Sequence, residues 1–186
     1  DLARDGLFDT AARTDTARER EADAELEALL AAGDTGAFLK AAVQRCKTIV
    51  ISGGTGSGKT TLLNALVKEI DRNERLVVIE DAPEVRLDHP NSVGLVAVRG
   101  ELGEAKVDAD ALLAASLRLR PDRILLGELR GKEAFAFLRA VNSGHPGSLT
   151  TIHADSPAGA LDQIALLALT SGVDLGWDKV QTYVSR

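Results

Sequence analysis

Hydrophobic positions change period partway along the chain. Between residues 17 and 32 the sequence is rich in Ala, Glu and Leu, with Leu26, Leu29 and Leu30 at helical spacing and Gly33 placed to stop the helix. Phe38, Leu39, Ala42 and Val43 then mark one face of a second short helix. From Lys47 onward, short apolar runs alternate with helical patterns. Thr48-Ile49-Val50-Ile51 and Leu76-Val77-Val78-Ile79 are continuous and β-branched, as strands buried on both faces should be. Further strands are predicted over 93–98, 124–126 and 148–152. Helices are predicted over 62–70, over 109–119 with Asp108 or Asp110 near the start and Pro121 closing it, and over 132–141. Another runs from the Ser156-Pro157 cap to about Thr170. A last amphipathic helix falls near 178–185. Strand–helix alternation of this kind predicts an α/β fold, a mostly parallel sheet with helices on both faces.

Composition narrows the class. At 186 residues, the chain can bury a core without staples. No apolar run approaches the roughly 18 residues of a membrane span, and no basic-then-apolar signal segment opens the sequence. A single cysteine, Cys46, excludes an internal disulfide and a cysteine-rich zinc site, and fits a reducing, cytoplasmic location. The net charge of −6 and an aromatic content of 3% argue against gripping nucleic acid by bulk charge or base stacking. Residues 1–20 hold few large apolar side chains and read as a lead-in.

Four blocks carry candidate chemistry. Gly53-Gly54-Thr55-Gly56-Ser57-Gly58-Lys59-Thr60, followed by Thr61, is a full G-x-x-x-x-G-K-T between a buried strand and an amphipathic helix. Glycines let successive N–H groups turn around an anion, and the helix aims its positive end at phosphate. Lys59 is expected on the β and γ phosphates and Thr60 on magnesium. Second, Ile124-Leu125-Leu126-Gly127-Glu128 is an apolar strand ending in an acid, the way nucleotide hydrolases place a carboxylate near metal and attacking water. Gly127 stands where an aspartate is usual, leaving Glu128 to act alone or through water. Third, Glu80, Asp81 and Glu84 crowd three like charges after a strand. That is reasonable if a cation or a proton-accepting role requires them; a solvated loop is the plain alternative. Fourth, His145 and His153 bracket a strand, His153 on the same edge as the phosphate loop. It is the stronger candidate for sensing a γ phosphate, and structural hydrogen bonding is the alternative for both. His89, beside Pro90, carries no signal. Arg118, Arg120, Arg123 and Arg130 flank the acidic strand, as charge stabilisers or as members of ion pairs.

GGTGSGKTTLLNAL at 53–66, VVIEDAPE at 77–84, LRLRPDRILLGELRG at 117–131 and SGHPGSLTTIHADS at 143–156, in this order, resemble the traffic ATPases of bacterial secretion. The likeness is greatest to the hexameric ATPase of type IV secretion and conjugation systems, and it covers roughly residues 35–170. The blocks correspond to that family's Walker A loop, aspartate box, Walker B strand and histidine box. The resemblance implies a RecA-like P-loop core over residues 35–186, cut short at its C-terminus. Residues 1–34 would be a linker and lead-in helix trailing from a separate N-terminal domain. It implies ATP and Mg2+ as ligands, Glu84 as the group polarising water, Glu128 near the metal and His153 reporting the γ phosphate. It also implies a homohexamer at the cytoplasmic face of the inner membrane, held there by secretion-system proteins, without sequence-specific nucleic-acid binding. Pilus and type II assembly ATPases often carry a tetracysteine insertion that this chain lacks. Tight-adherence ATPases are the remaining alternative, against which Phe135 to Asn142 favours type IV secretion.

Overall fold

A computed structural model describes residues 23–98, 107–172 and 175–184, with nothing of the Tyr183 side chain. The lead-in expected at residues 1–20 falls outside them. Residues 23–31 form helix α1, followed by α2 (Thr35–Gln44), strand β1 (Ile49–Ser52), α3 (Lys59–Val67), β2 (Leu76–Glu80) and β3 (Ser92–Val96). Then come α4 (Ala109–Ser116) with a 3-10 turn at Leu117–Leu119, β4 (Arg123–Leu129), α5 (Glu133–Asn142), β5 (Leu149–Ile152), α6 (Pro157–Leu169) and α7 (Trp177–Val184).

All five strands are parallel, in the order β1-β5-β4-β2-β3. The apolar runs explain why the sheet has two covered faces. Along β2, Val77 and Ile79 join Ile124 and Leu126 of β4 in one core, against α4, α5 and α6; Leu76 and Val78 join Leu125 and Leu149 in another, against α3. Successive side chains of a strand point to opposite faces, so a strand apolar at every position needs cover on both. The chain leaves β1 through α3 to reach β2, and β4 and β5 later fill the space between. The crevice where that order reverses, at the carboxyl ends of the strands, is the usual ligand position in open parallel sheets.

The expected elements are present with small shifts. The strand predicted over 124–126 is longer, Arg123–Leu129, and the helix predicted over 109–119 tightens into the 3-10 turn before Arg120 in the left-handed region at φ 51. Asp108 is the cap of α4, its carboxylate accepting the Ala111 N–H at 2.9 Å. Ser156 caps α6 through the Gly159 N–H, with Pro157 in the first turn. α1 packs on α2 through Leu26 and Leu29, but Leu30 lies on its open side and is exposed.

Candidate functional site

Four segments meet at the carboxyl edge of the sheet. The phosphate loop follows β1, the turn over residues 81–85 follows β2, Glu128 stands near the end of β4, and His153 follows β5. Together they line a cavity of about 440 Å3 that takes in Thr55, Lys59, Thr60, Glu84, Glu128 and His153. Of the residues expected to bind phosphate, Thr55, Gly56, Lys59 and Thr60 line this cavity. Gly53, Gly54, Ser57 and Gly58 form the loop behind them, and Thr61 lies one residue further along α3, exposed.

The loop is built for an anion. Gly58, the cap of α3, has φ +91, a left-handed conformation that side chains rarely adopt. Lys59 Nζ donates to the carbonyls of Gly53 and Gly54, both at 2.9 Å. Ser57 Oγ closes the turn on the Gly54 carbonyl at 2.8 Å. The α3 N-terminus therefore offers its unpaired N–H groups and a lysine, a combination that suits phosphate.

Glu80, Asp81 and Glu84 separate into three roles. Glu80 is buried, and its Oε1 accepts the N–H groups of Glu84 at 2.9 Å and Val85 at 2.8 Å. Asp81 takes Arg130 at 3.4 Å. Glu84 is exposed to the cavity, and its Oε2 accepts the Thr60 hydroxyl at 3.1 Å. Thr60 and Glu84 thus offer adjacent hard oxygens beside the phosphate loop, with Glu128 on the facing wall. Such donors fit magnesium, which is bound by one or two protein oxygens together with water and substrate phosphates.

Gly127 has its reason in Glu80. A Cβ at position 127 would sit 3.1 Å from Glu80 Cγ, so the buried glutamate uses the space a side chain there would need. The next residue is re-aimed by a bulge. Leu126 pairs with Thr150 and Leu129 with Ile152, so β4 carries one extra residue against β5. Without it, the alternation of Ile124 and Leu126 would send residue 128 into the apolar core. The bulge puts Leu129 there and leaves Glu128 in the cavity wall. Thr151 Oγ1 donates to the Gly127 carbonyl at 2.7 Å and satisfies the irregular backbone. Glu128 is held by Arg130, whose Nε lies 2.5 Å from Oε2.

The other arginines and histidines lie elsewhere. Arg118 and Arg120 precede β4, at the edge of the sheet opposite the cavity. Arg123, which sequence alone offered as a charge stabiliser or an ion-pair member, is 1% exposed and pairs with Glu74 at 2.5 and 2.7 Å. It also donates to the Val43 carbonyl at 2.7 Å. Burial works against its charge, but Glu74 and the neighbouring Cys46 and Asp122 more than offset that and raise its pKa above the ordinary arginine value. His145 precedes β5, its Nδ1 2.9 Å from the Pro121 carbonyl, at the same far edge. His89 is buried, with Nε2 3.0 Å from the Asp71 carbonyl. Only His153 of the three histidines lines the cavity, and it is exposed there. Two partners escaped the sequence reading: Asn64, which bonds the loop of Glu84, and Glu74, which neutralises Arg123.

A phosphate loop after β1 and carboxylates after β2 and on β4, on one edge of a parallel sheet, define a P-loop nucleotide-binding α/β domain. A family model described as Type II/IV secretion system protein matches residues 16–178, and the chain belongs to that family. It is 47% identical over 150 residues to the type IV secretion system protein VirB11 of Bartonella quintana, covering 80% of this chain and 42% of that protein. It is 49% identical over 148 residues to the VirB11 protein of Brucella suis, covering 78% and 41%. Among solved structures it is similar to the VirB11 ATPase from the Brucella suis type IV secretion system in complex with sulphate, with TM-score 0.81 and 43% identity over 88% of this chain and 49% of that one. The pilus retraction motor PilT with bound ADP is more distant, at TM-score 0.59 and 26% identity over 77% of this chain and 41% of that one. The chain spans about two-fifths of the length of these VirB11 relatives. No helix among the described residues is long and apolar enough to cross a membrane.

Proposed function

We propose that this chain is the ATP-hydrolysing core of a ring-forming ATPase that powers a type IV secretion or conjugation machine. The observation that carries the reading is the convergence of Lys59, Thr60, Glu84, Glu128 and His153 on one cavity, in a domain nearly half identical to VirB11 proteins. ATP would place its phosphates in the loop of residues 53–60, where Lys59 exchanges the Gly53 and Gly54 carbonyls for the β and γ phosphates. Thr60 and Glu128, the latter through water, would hold Mg2+, which when bound neutralises charge developing on the phosphates.

Glu84 stands beside Thr60 and can take the proton of a water aligned on the γ phosphorus. The water oxygen then bonds to phosphorus as the bond to ADP breaks, and the proton rests on the Glu84 carboxylate. Arg130, bridging Glu128 and Asp81, ties the β4 wall to the Glu84 loop. His153 is placed to feel the γ phosphate. In this reading the natural protein is a homohexamer, cytoplasmic and peripheral at the inner membrane through secretion-system proteins.

Two variants test the reading in the natural-length protein. Lys59→Ala should abolish ATP binding and hydrolysis while the fold persists, because Lys59 is a loop-facing residue bonded only to carbonyls. Glu84→Gln should still bind ATP and hydrolyse it at least roughly 100-fold more slowly, the scale of a lost general base. A Lys59→Ala protein with parental turnover would sink the proposal. Normal Glu84→Gln turnover beside a dead Glu128→Gln would reverse the two carboxylate roles.

A further inference from the structure

Glu84 enters the cavity on a loop, so no strand ladder or helix fixes its position. Four hydrogen bonds from two side chains do so instead. Glu80 takes the N–H groups of Glu84 and Val85 from the sheet side. On the other side, Asn64 Nδ2 donates to the Glu84 carbonyl at 3.1 Å, and Asn64 Oδ1 accepts the Arg86 N–H at 2.6 Å. A carbonyl only accepts and an N–H only donates, so these two partners fix the orientation of the amide. Asn64 lies on α3 four residues after Thr60, and residues so spaced share a helix face. Thr60 thus holds the carboxylate of Glu84 while Asn64 holds its backbone, both from the helix whose first turn forms the phosphate site. Asn64 does not line the cavity itself.

We propose that Asn64 is a positioning residue for hydrolysis, tying the loop of Glu84 to α3 so that the phosphate site and the proton acceptor keep one geometry. The proposal rests on the reading of Glu84 as the base. A misplacement of about 1 Å can cost on the order of 100-fold in rate, which is enough for a residue that never meets the substrate to matter. Turnover and ADP affinity of the natural-length protein are measured for Asn64→Ala, Asn64→Asp, Glu84→Gln and the Asn64→Ala/Glu84→Gln double variant.

Asn64→Ala should lower kcat roughly 10- to 100-fold and leave ADP affinity and the melting transition near parental values. Asn64→Asp, which keeps an acceptor for the Arg86 N–H but loses the donor to the Glu84 carbonyl, should lose kcat similarly. The double variant should be as slow as Glu84→Gln alone, because Asn64 has nothing left to position. A double variant slower by the full product of the two single effects would overturn the proposal. So would parallel loss of ADP binding, or parental kcat in either Asn64 variant. Parental kcat in Glu84→Gln would instead remove the assignment of Glu84, and the proposal with it.

Discussion

Glu80, Asp81 and Glu84 lie within five residues and all line the cavity, yet among the three it is Glu84 whose carboxylate accepts the Thr60 hydroxyl. Glu80 is buried to shape a turn, and Asp81 is engaged by Arg130. Sequence shows the cluster but not this division, since the distinguishing contacts are backbone N–H groups and an arginine far along the chain. The histidines separate by strand direction instead. A parallel β5 puts His145 at its amino end and His153 at its carboxyl end, so only the second can meet phosphate. His153 is exposed in the cavity, and among the described residues no hydrogen bond or ion pair joins its ring. His153→Ala should therefore lower ATP turnover far more than it lowers ADP affinity, measured on the same preparation. Equal loss of both would assign His153 to the shape of the pocket rather than to sensing γ phosphate.

At the scale of elements, strands were legible because residues 76–79 of β2 and 124–126 of β4 are apolar without interruption. The phosphate loop was legible because its glycines, lysine and threonine are local. What stayed hidden depends on contacts between distant segments: the bulge that turns Glu128 outward, the packing of Glu80 against Gly127, and the pairing of Arg123 with Glu74 across 49 residues. The start of α4 was half legible, with two aspartates on offer. Asp108 is the cap, and the Ala111 N–H together with Lys132 depresses its pKa below the ordinary aspartate value. Lys132 is correspondingly raised by Asp108. Asp108→Ala should cost about 1 kcal/mol of stability at neutral pH and Asp108→Asn much less, as read by denaturant unfolding. The sign of the pH dependence follows from a folded pKa below the unfolded one. The charged cap stabilises fully above the unfolded carboxylate value of about 3.9 and fades as pH falls through the folded value beneath it. The gap between parent and Asp108→Ala should therefore be constant from neutral pH down to mildly acidic pH and narrow only below that. A gap that narrowed near neutrality would implicate another group.

At the scale of the molecule, the cavity is acidic and short of arginine. Its arginine and lysine linings are Lys59 and Arg130, and Arg130 is already bound to Glu128 and Asp81. Arg118, Arg120 and Arg123, the other arginines around β4, precede or open that strand at the far edge. A γ phosphate seated on the loop would thus face one lysine and several carboxylates, and charge gathering in the transition state would meet no arginine among the described lining residues except the engaged Arg130. An arginine supplied from outside a nucleotide site is worth about 10³–10⁵ in rate. In the ring proposed above, such an arginine would come from outside these residues or from the adjacent subunit. The 186-residue chain alone should accordingly bind ADP and ATP, hydrolyse ATP weakly and remain largely monomeric at micromolar concentration. The natural-length protein should form a hexamer and turn over faster by a factor approaching that range. Light scattering and a steady-state ATPase assay on both lengths decide the matter. A stable hexamer with full turnover from the 186 residues alone would mean that the core carries its own charge-stabilising arginine, either Arg130 released from its carboxylates or Arg118 or Arg120 of an adjacent copy.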